Sequence, residues 1–245
     1  MRCGCFGGNV LKLTDDMAIL KPTIFPTVPR LLNRIYGKIQ DLFNQATGLK
    51  KWLITKGLDT KMENLKASGT KTHSIFDTIL FSKTKNLLGG QVRVIVTGSA
   101  PISGSVLDFL KVCFCCSVCE GYGLTETCGG SFITFPEDKE TGIVGGPVHN
   151  VKIRLRDIPE MNYLSTDNPP RGEICFWGPG VMPGYFMNPE KTKECFVDGW
   201  FLSGDVAVIQ PNFSVKIIDR AKNIFKLSQG EYIAPEKLEN IYVKS

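Results

Sequence analysis

The chain lacks any run of about 18 uninterrupted apolar residues, the length a membrane-spanning helix requires, so no span is expected. Over Met1–Val10 it also lacks an apolar stretch long enough for a secretory leader, and a cytosol-facing protein is the expectation. Nothing along it interleaves basic with aromatic residues as a nucleic-acid groove does, which sets nucleic acid aside as a partner. Internal repeats are absent too. The nine cysteines are an odd number, ill suited to a disulfide framework. Four of them, Cys113, Cys115, Cys116 and Cys119, crowd together, but no second cysteine knuckle or histidine pair follows to complete a zinc site. With Phe114 and Val118 between them, they read as small hydrophobes in a buried strand.

What is present is ordinary globular composition. The chain has 245 residues, 42% hydrophobic and 22% charged, enough for one large domain or two modest ones. Its formal charge of +5 is scattered and reads as a solvated basic surface, with an anionic membrane face or a polyphosphate ligand as the alternative.

Hydrophobic periodicity supplies the outline. Met1–Asn9 reads as a strand fragment and turn. A helix is expected after Pro29, with Leu31, Leu32, Ile35, Ile39, Leu42 and Phe43 on one face. A second amphipathic helix is expected over Ile75–Leu88, stopped by Gly89-Gly90. Then come a strand at Val92–Val96, a helix at Ser103–Leu110 and a strand at Phe114–Cys119. Strand, helix and strand, with near-continuous apolar strands, predict an α/β fold with a parallel sheet and helical crossovers. From about Gly145 short β-type runs follow, at Val151–Leu155, Glu173–Trp177, Phe201–Leu202, Val206–Ile209 and Val215–Ile218. They predict a small antiparallel β subdomain. Ala234–Tyr242 looks like the start of a helix in a further α+β domain. The resulting scheme is 1–144, 145–219 and 220–245.

Two glycine-hinged loops carry the chemistry. Val92–Val96 opens into Thr97-Gly98-Ser99-Ala100-Pro101-Ile102-Ser103. The later apolar strand delivers Gly121-Tyr122-Gly123-Leu124-Thr125-Glu126. Gly121 and Gly123 allow close backbone approach and offer N–H groups. Tyr122 adds a flat face and a phenol, Thr125 a hydroxyl, and Glu126 a carboxylate able to hold Mg²⁺ beside phosphates. In parallel sheets, ligands sit beyond the carboxyl ends of strands, where both loops fall. Read alone, the Gly121–Glu126 loop is equally an ordinary strand-end turn, and the alternative for Thr97–Ser103 is a strand-to-helix turn with Ser103 near the helix cap.

Two further stretches complete the set: Asp198-Gly199-Trp200-Phe201-Leu202-Ser203-Gly204-Asp205 and Ile217-Ile218-Asp219-Arg220. In this order the four resemble the nucleotide-binding motifs of adenylate-forming (AMP-binding) enzymes. The tail from Lys222 to Tyr242 resembles long-chain fatty acyl-CoA synthetases in particular. That resemblance implies ATP, Mg²⁺ and CoA, with a long-chain fatty acid as the substrate. It implies Ser99 and Ala100 with Tyr122 at the adenine and Thr125 at the α-phosphate. It places Glu126 on the metal, Asp205 at the ribose hydroxyls, Arg220 at the ribose or phosphate, Lys222 at an interdomain hinge, and Lys226 and Gly230 in a loop serving thioester formation. Phe25–Ile35 and Gly146–Val148 would line part of a fatty-acid tunnel.

Three positions depart from the family pattern: Leu202 stands for histidine, Ala221 for lysine and Phe213 for a turn glycine, the last predicting a different hairpin. The family's phosphate loop and its C-terminal lysine have no counterpart here, so the chain reads as a central fragment, inactive by itself. A ligase fragment and a non-catalytic AMP-binding remnant or interaction module stand as the two readings. The resemblance further implies a cytoplasmic enzyme, at the cytosolic face of the endoplasmic reticulum or another membrane, through peripheral association.

Overall fold

The computed structural model describes residues 3–5, 7–9, 12–226 and 232–233. The chain divides into two compact units, one of residues 1–119 with 135–141, the other of 120–134 with 142–245.

The first unit is mostly helical. Helix α1 (Leu13–Leu20) precedes strand β1 (Ile24–Thr27), followed by α2 (Pro29–Asn44), α3 (Gly48–Ser68), α4 (Ser74–Ile79) and α5 (Ser82–Asn86). Strand β2 (Val94–Thr97) pairs in parallel with β1, residue for residue from Ile24↔Val94 to Thr27↔Thr97. Helix α6 (Gly104–Phe114) leads to β3 (Ser117–Tyr122), which follows β2 in strand order. Proline at the first position of α2 fits a turn whose N–H groups lack intrahelical partners, and Leu32, Ile35 and Ile39 then bury one face. Helix α6 is buried on nearly all sides, from Val106 and Leu107 through Phe109, Leu110 and Val112 to Phe114, as an all-round apolar helix must be.

The sequence reading needs four corrections in this unit. Helices α1 and α3 and strand β1 carry no element in it. The buried stripe of α3 is Ile54, Gly57, Lys61 and Leu65, so a glycine and a lysine occupy half the positions that a hydrophobicity scan would need. The expected helix over Ile75–Leu88 is broken into α4 and α5 at Leu80-Phe81, which puts Phe81 fully inside the core. The strand expected at Phe114–Cys119 begins only at Ser117. Helix α6 runs on to Phe114 and ends at Cys115 in the left-handed region, so the cysteine cluster straddles a helix end, a turn and a strand. An apolar run of that length fits helix or strand equally well. Residues 3–5 and 7–9 hold no strand, and Ala234–Tyr242 lies outside the described residues.

Lys61 holds three elements of this unit together. Its side chain is fully buried. The ammonium pairs with Asp77 of α4, donates to the Val112 carbonyl of α6 at 2.7 Å and to Cys115 Sγ at 3.1 Å, and sits 4.4 Å from the Phe81 ring centroid. A buried charge survives only when its donors are satisfied in this way.

The second unit is β-rich. The end of β3 pairs with β4 (Phe132–Ile133), and β4 with β5 (Gly146–Pro147), both antiparallel. A separate antiparallel sheet contains β6 (Lys152–Arg156), β7 (Arg171–Trp177), β9 (Trp200–Ile209) and β10 (Val215–Arg220), in the order β10-β9-β7-β6. Helix α7 (Pro189–Glu194) leads into β8 (Phe196–Val197), which pairs with the start of β9. Strands β11 (Phe225–Lys226) and β12 (Tyr232–Ile233) form a two-stranded ribbon. The expected runs Phe201–Leu202 and Val206–Ile209 are thus one ten-residue strand. Its core is Phe132, Ile174, Phe176, Phe201, Ala207 and Val215.

At the β9–β10 hairpin Phe213 takes the left-handed backbone conformation that a turn glycine favours. Gln210 and Ser214 close the β9–β10 turn, and Phe213 occupies it at φ 64° with 83% of its surface exposed. That conformation costs a side-chain-bearing residue about 1–2 kcal/mol, against about 0.5–1 kcal/mol of extra chain freedom for glycine. Phe213→Gly is therefore expected to stabilise the fold by up to about 1 kcal/mol, seen as a higher urea midpoint at unchanged slope. Lys61→Met is expected to destabilise it by about 3 kcal/mol, because Asp77 is left without its cation. The Lys61→Met/Asp77→Leu double variant should recover most of that loss in the same titration.

Candidate functional site

Strand β3 ends at Tyr122, and the chain turns through Gly123 and Leu124 into a single 3₁₀ turn, Thr125–Thr127. Glycine is required at 123 because a Cβ there would lie 2.3 Å from the Gly129 carbonyl oxygen. The returning backbone is held by Gly129 N–H donating to the Leu124 carbonyl at 2.9 Å. Thr127, buried, accepts from the Leu124 N–H at 3.0 Å and from the Ser131 hydroxyl at 2.7 Å. This small network presents Thr125 to solvent and leaves Glu126 half-buried beside it.

Glu126 is fixed at both ends. Its backbone carbonyl accepts from Met182 N–H at 2.8 Å, and its carboxylate accepts from the Tyr185 hydroxyl at 2.7 Å. The carboxylate stabilises the protonated phenol, which pushes the Tyr185 pKa up to about 12. Among the described residues no group of three or more metal-ligating side chains occurs. A single carboxylate next to a hydroxyl fits a divalent ion whose remaining ligands are phosphate and water oxygens, the usual pattern for Mg²⁺.

The strand register of the second sheet builds the other half of the site. A bulge between Ile217 and Asp219 sets Arg220 of β10 directly across from Asp205 of β9. Asp205 is 4% exposed, accepts from the Tyr122 hydroxyl at 2.5 Å and pairs with Arg220 Nε at 3.6 Å. Its own N–H donates to Ser203 Oγ at 3.0 Å, and that hydroxyl donates to the Ile174 carbonyl at 2.6 Å. Burial is the dominant influence on Asp205 and raises its pKa above the usual carboxylate range, with the Tyr122 hydrogen bond and Arg220 opposing it. Burial, and then the neighbouring Asp205, push the Tyr122 phenol up in turn. The Tyr122 ring lies 5.9 Å from Phe132 and 6.2 Å from Phe176, nearly parallel to the latter.

The structure therefore brings Tyr122, Asp205 and Arg220 into direct contact and sets Gly121, Gly123, Thr125 and Glu126 along the same short segment. Ser99 and Ala100 are exposed in the first unit, on the loop after β2, with Ser99 in the left-handed region at φ 72°. Lys222 is exposed in the turn after β10, where Ala221 N–H bonds the Gly204 carbonyl at 2.8 Å. Lys226 lies in β11, opposite Tyr232. Gly230 is outside the described residues.

Two contributors escape the sequence reading. Tyr185 follows Gly184 in a stretch with no periodicity to mark it. Glu173 is 3% exposed on β7, pairs with Arg156 and accepts from Gly204 N–H at 2.8 Å, which steadies the backbone next to Asp205. A carboxylate at the head of the apolar run Ile174-Cys175-Phe176, within the expected strand, is the signal that marks it.

Comparison with known proteins identifies the family of the chain. Residues 1–186 match the model of the AMP-binding enzyme family. Fatty acyl-CoA synthetase A of Dictyostelium discoideum is 47% identical over 244 residues, 99% of this chain and 36% of that protein. Human long-chain-fatty-acid–CoA ligase 1 is 46% identical over 246 residues, all of this chain and 34% of that one. The chain thus spans about a third of the length of the curated relatives it matches. Among solved structures, the A domain of carboxylic acid reductase from Segniliparus rugosus, bound to AMP and a carboxylic acid, superposes with TM-score 0.71 at 30% identity, over 96% of this chain and 33% of that one. O-succinylbenzoate coenzyme A synthetase of Bacillus subtilis, solved with ATP and magnesium, shares the fold at TM-score 0.63 and 19% identity, over 96% and 39%. On the family match over most of its length, and on relatives nearly half identical from end to end of it, this chain belongs to the AMP-binding enzyme family.

Proposed function

We propose that the chain is the central part of a long-chain fatty acid–CoA ligase. In that reaction the fatty acid carboxylate attacks the α-phosphate of ATP, giving acyl-AMP and pyrophosphate. The CoA thiolate then attacks the acyl carbon and AMP leaves. The observation that carries the reading is the Tyr122–Asp205–Arg220 contact at the end of β3, supported by relatives named for this activity.

Each side chain has a role its chemistry can fill. Asp205, an acceptor whose second oxygen faces Arg220, takes the ribose hydroxyls, and Arg220 adds donors for ribose or phosphate. Tyr122 offers its ring to the base. Ser99 and Ala100 are assigned to the adenine on the family resemblance. Thr125 donates to an α-phosphate oxygen, and Glu126, steadied by Tyr185, would hold Mg²⁺. Bound there, the ion neutralises phosphate charge as the new bond forms. Lys222 as the hinge and Lys226 in thioester formation complete the proposal, with 1–144, 145–219 and 220–245 as domains. The antiparallel sheet of β6, β7, β9 and β10, which falls almost wholly within 145–219, supports that division. No helix among the described residues is long and apolar enough to cross a membrane, and peripheral attachment at a cytosolic membrane face belongs to the same proposal.

AMP binding to the purified chain tests the site. Asp205→Asn is expected to weaken AMP, in calorimetry at neutral pH, by about 1–3 kcal/mol, the cost of unpaired hydroxyls and an uncompensated Arg220. Equal affinity in the variant would remove Asp205 from the site. Because only the ionised Asp205 offers both oxygens as acceptors and a charge to Arg220, and its pKa is raised, wild-type affinity should fall on acidification before ordinary carboxylates titrate. The Asn variant should lack that component, leaving only the titration of the AMP phosphate itself.

A further inference from the structure

Three buried side-chain oxygens among the described residues have no hydrogen-bond partner: Thr27 Oγ1, Thr97 Oγ1 and Asp108 Oδ1. Asp108 has Lys111 3.7 Å away on the same helix, so its charge is compensated. The two threonines have no such neighbour, and they are not scattered. Thr27 is the last residue of β1, Thr97 the last of β2, and the two are register partners in the parallel pair. Neighbouring strands stand about 4.8 Å apart, and partners in register point to the same face. Thr97 is only 2% exposed.

Thr27 is half-buried and Thr97 buried, and leaving an occluded hydroxyl unbonded is costly, on the order of 1–3 kcal/mol each by the general rule for buried polar groups. Valine would fill either position at nearly the same volume without that cost. The location gives the hydroxyls a use. They end the strands at the carboxyl edge, where ligands of parallel sheets sit. Helix α2 starts two residues after Thr27, and no side chain caps its first turn. An uncapped helix start adds partial positive charge. On the same strand face, one pair inward, stand Phe25 and Ile95, both apolar and buried. A pair of donors at the edge of an apolar face suits a ligand with an anionic head and a hydrocarbon body.

We propose that Thr27 and Thr97 form a two-hydroxyl docking point for the carboxylate of the acyl substrate, each hydroxyl donating to one carboxylate oxygen. This makes them positioning residues for the head of the fatty acid. The inference rests on the ligase reading, and neither residue belongs to the Tyr122–Asp205–Arg220 contact.

The test uses the purified chain with dodecanoate and AMP as separate probes in calorimetry, and with thermal melts of every variant. In the Thr27→Val/Thr97→Val double variant the dodecanoate dissociation constant should rise about tenfold or more, as expected for losing two hydrogen bonds to a charged group. AMP affinity should stay within about twofold, and the Thr27→Ser/Thr97→Ser variant should bind dodecanoate like wild type. The melting temperature of the valine variant should be unchanged or higher, since an unpaired buried hydroxyl has been removed. A lower one would show that the hydroxyls have a structural partner such as a buried water, and would overturn the assignment. Equal dodecanoate binding by wild type and valine variant, or none by wild type, would overturn it too. Loss of AMP binding in wild type with dodecanoate retained would sink the ligase reading and leave the docking point standing.

Discussion

The hydrogen bond from the Tyr122 hydroxyl to Asp205 is the contact that joins the two halves of the candidate site in the second unit. It ties the loop that carries Thr125 and Glu126 to the antiparallel sheet that carries Arg220. Both partners are far from neutral spectators. Burial discourages the Asp205 charge and the Tyr122 anion alike, so the shared proton stays on the phenol and the acceptor capacity stays on the carboxylate. A ribose presents donors of the same kind as the Tyr122 hydroxyl, and it would meet an acceptor already oriented by Ser203, Glu173 and the β9–β10 bulge. Preorganisation of that sort lowers the ordering cost of binding.

Glu126 follows the same logic on a smaller scale. Its backbone and its carboxylate are each held by one donor, Met182 N–H and Tyr185 Oη, from the same stretch of chain after β7. The carboxylate nonetheless remains partly open to solvent, which an ion that keeps several water and phosphate ligands requires.

The first unit solves a different problem, how to hold helices of modest apolarity around a short parallel pair. Lys61 does this with a charge in place of a hydrocarbon, satisfied by Asp77, Val112 and Cys115 at once. Against that fully bonded group, the unbonded hydroxyls of Thr27 and Thr97 at the ends of β1 and β2 stand out.

The sequence by itself determined the α/β-then-β order, the glycine loops and the family, because each rests on local pattern or on residue types read in series. Period and turn chemistry are properties of neighbours along the chain. Helix α3 escaped because its buried stripe uses Gly57 and Lys61, whose suitability is decided by Leu80, Phe76 and Asp77 from other elements. The cysteine run escaped because helix and strand fit it equally, and only the left-handed turn at Cys115 chooses. Only the tertiary structure decided that Tyr122 bonds Asp205, that Tyr185 holds Glu126 and that Thr27 and Thr97 are register partners in the parallel pair. Those facts depend on strand register and burial, which join residues too far apart in the chain for any local pattern to relate.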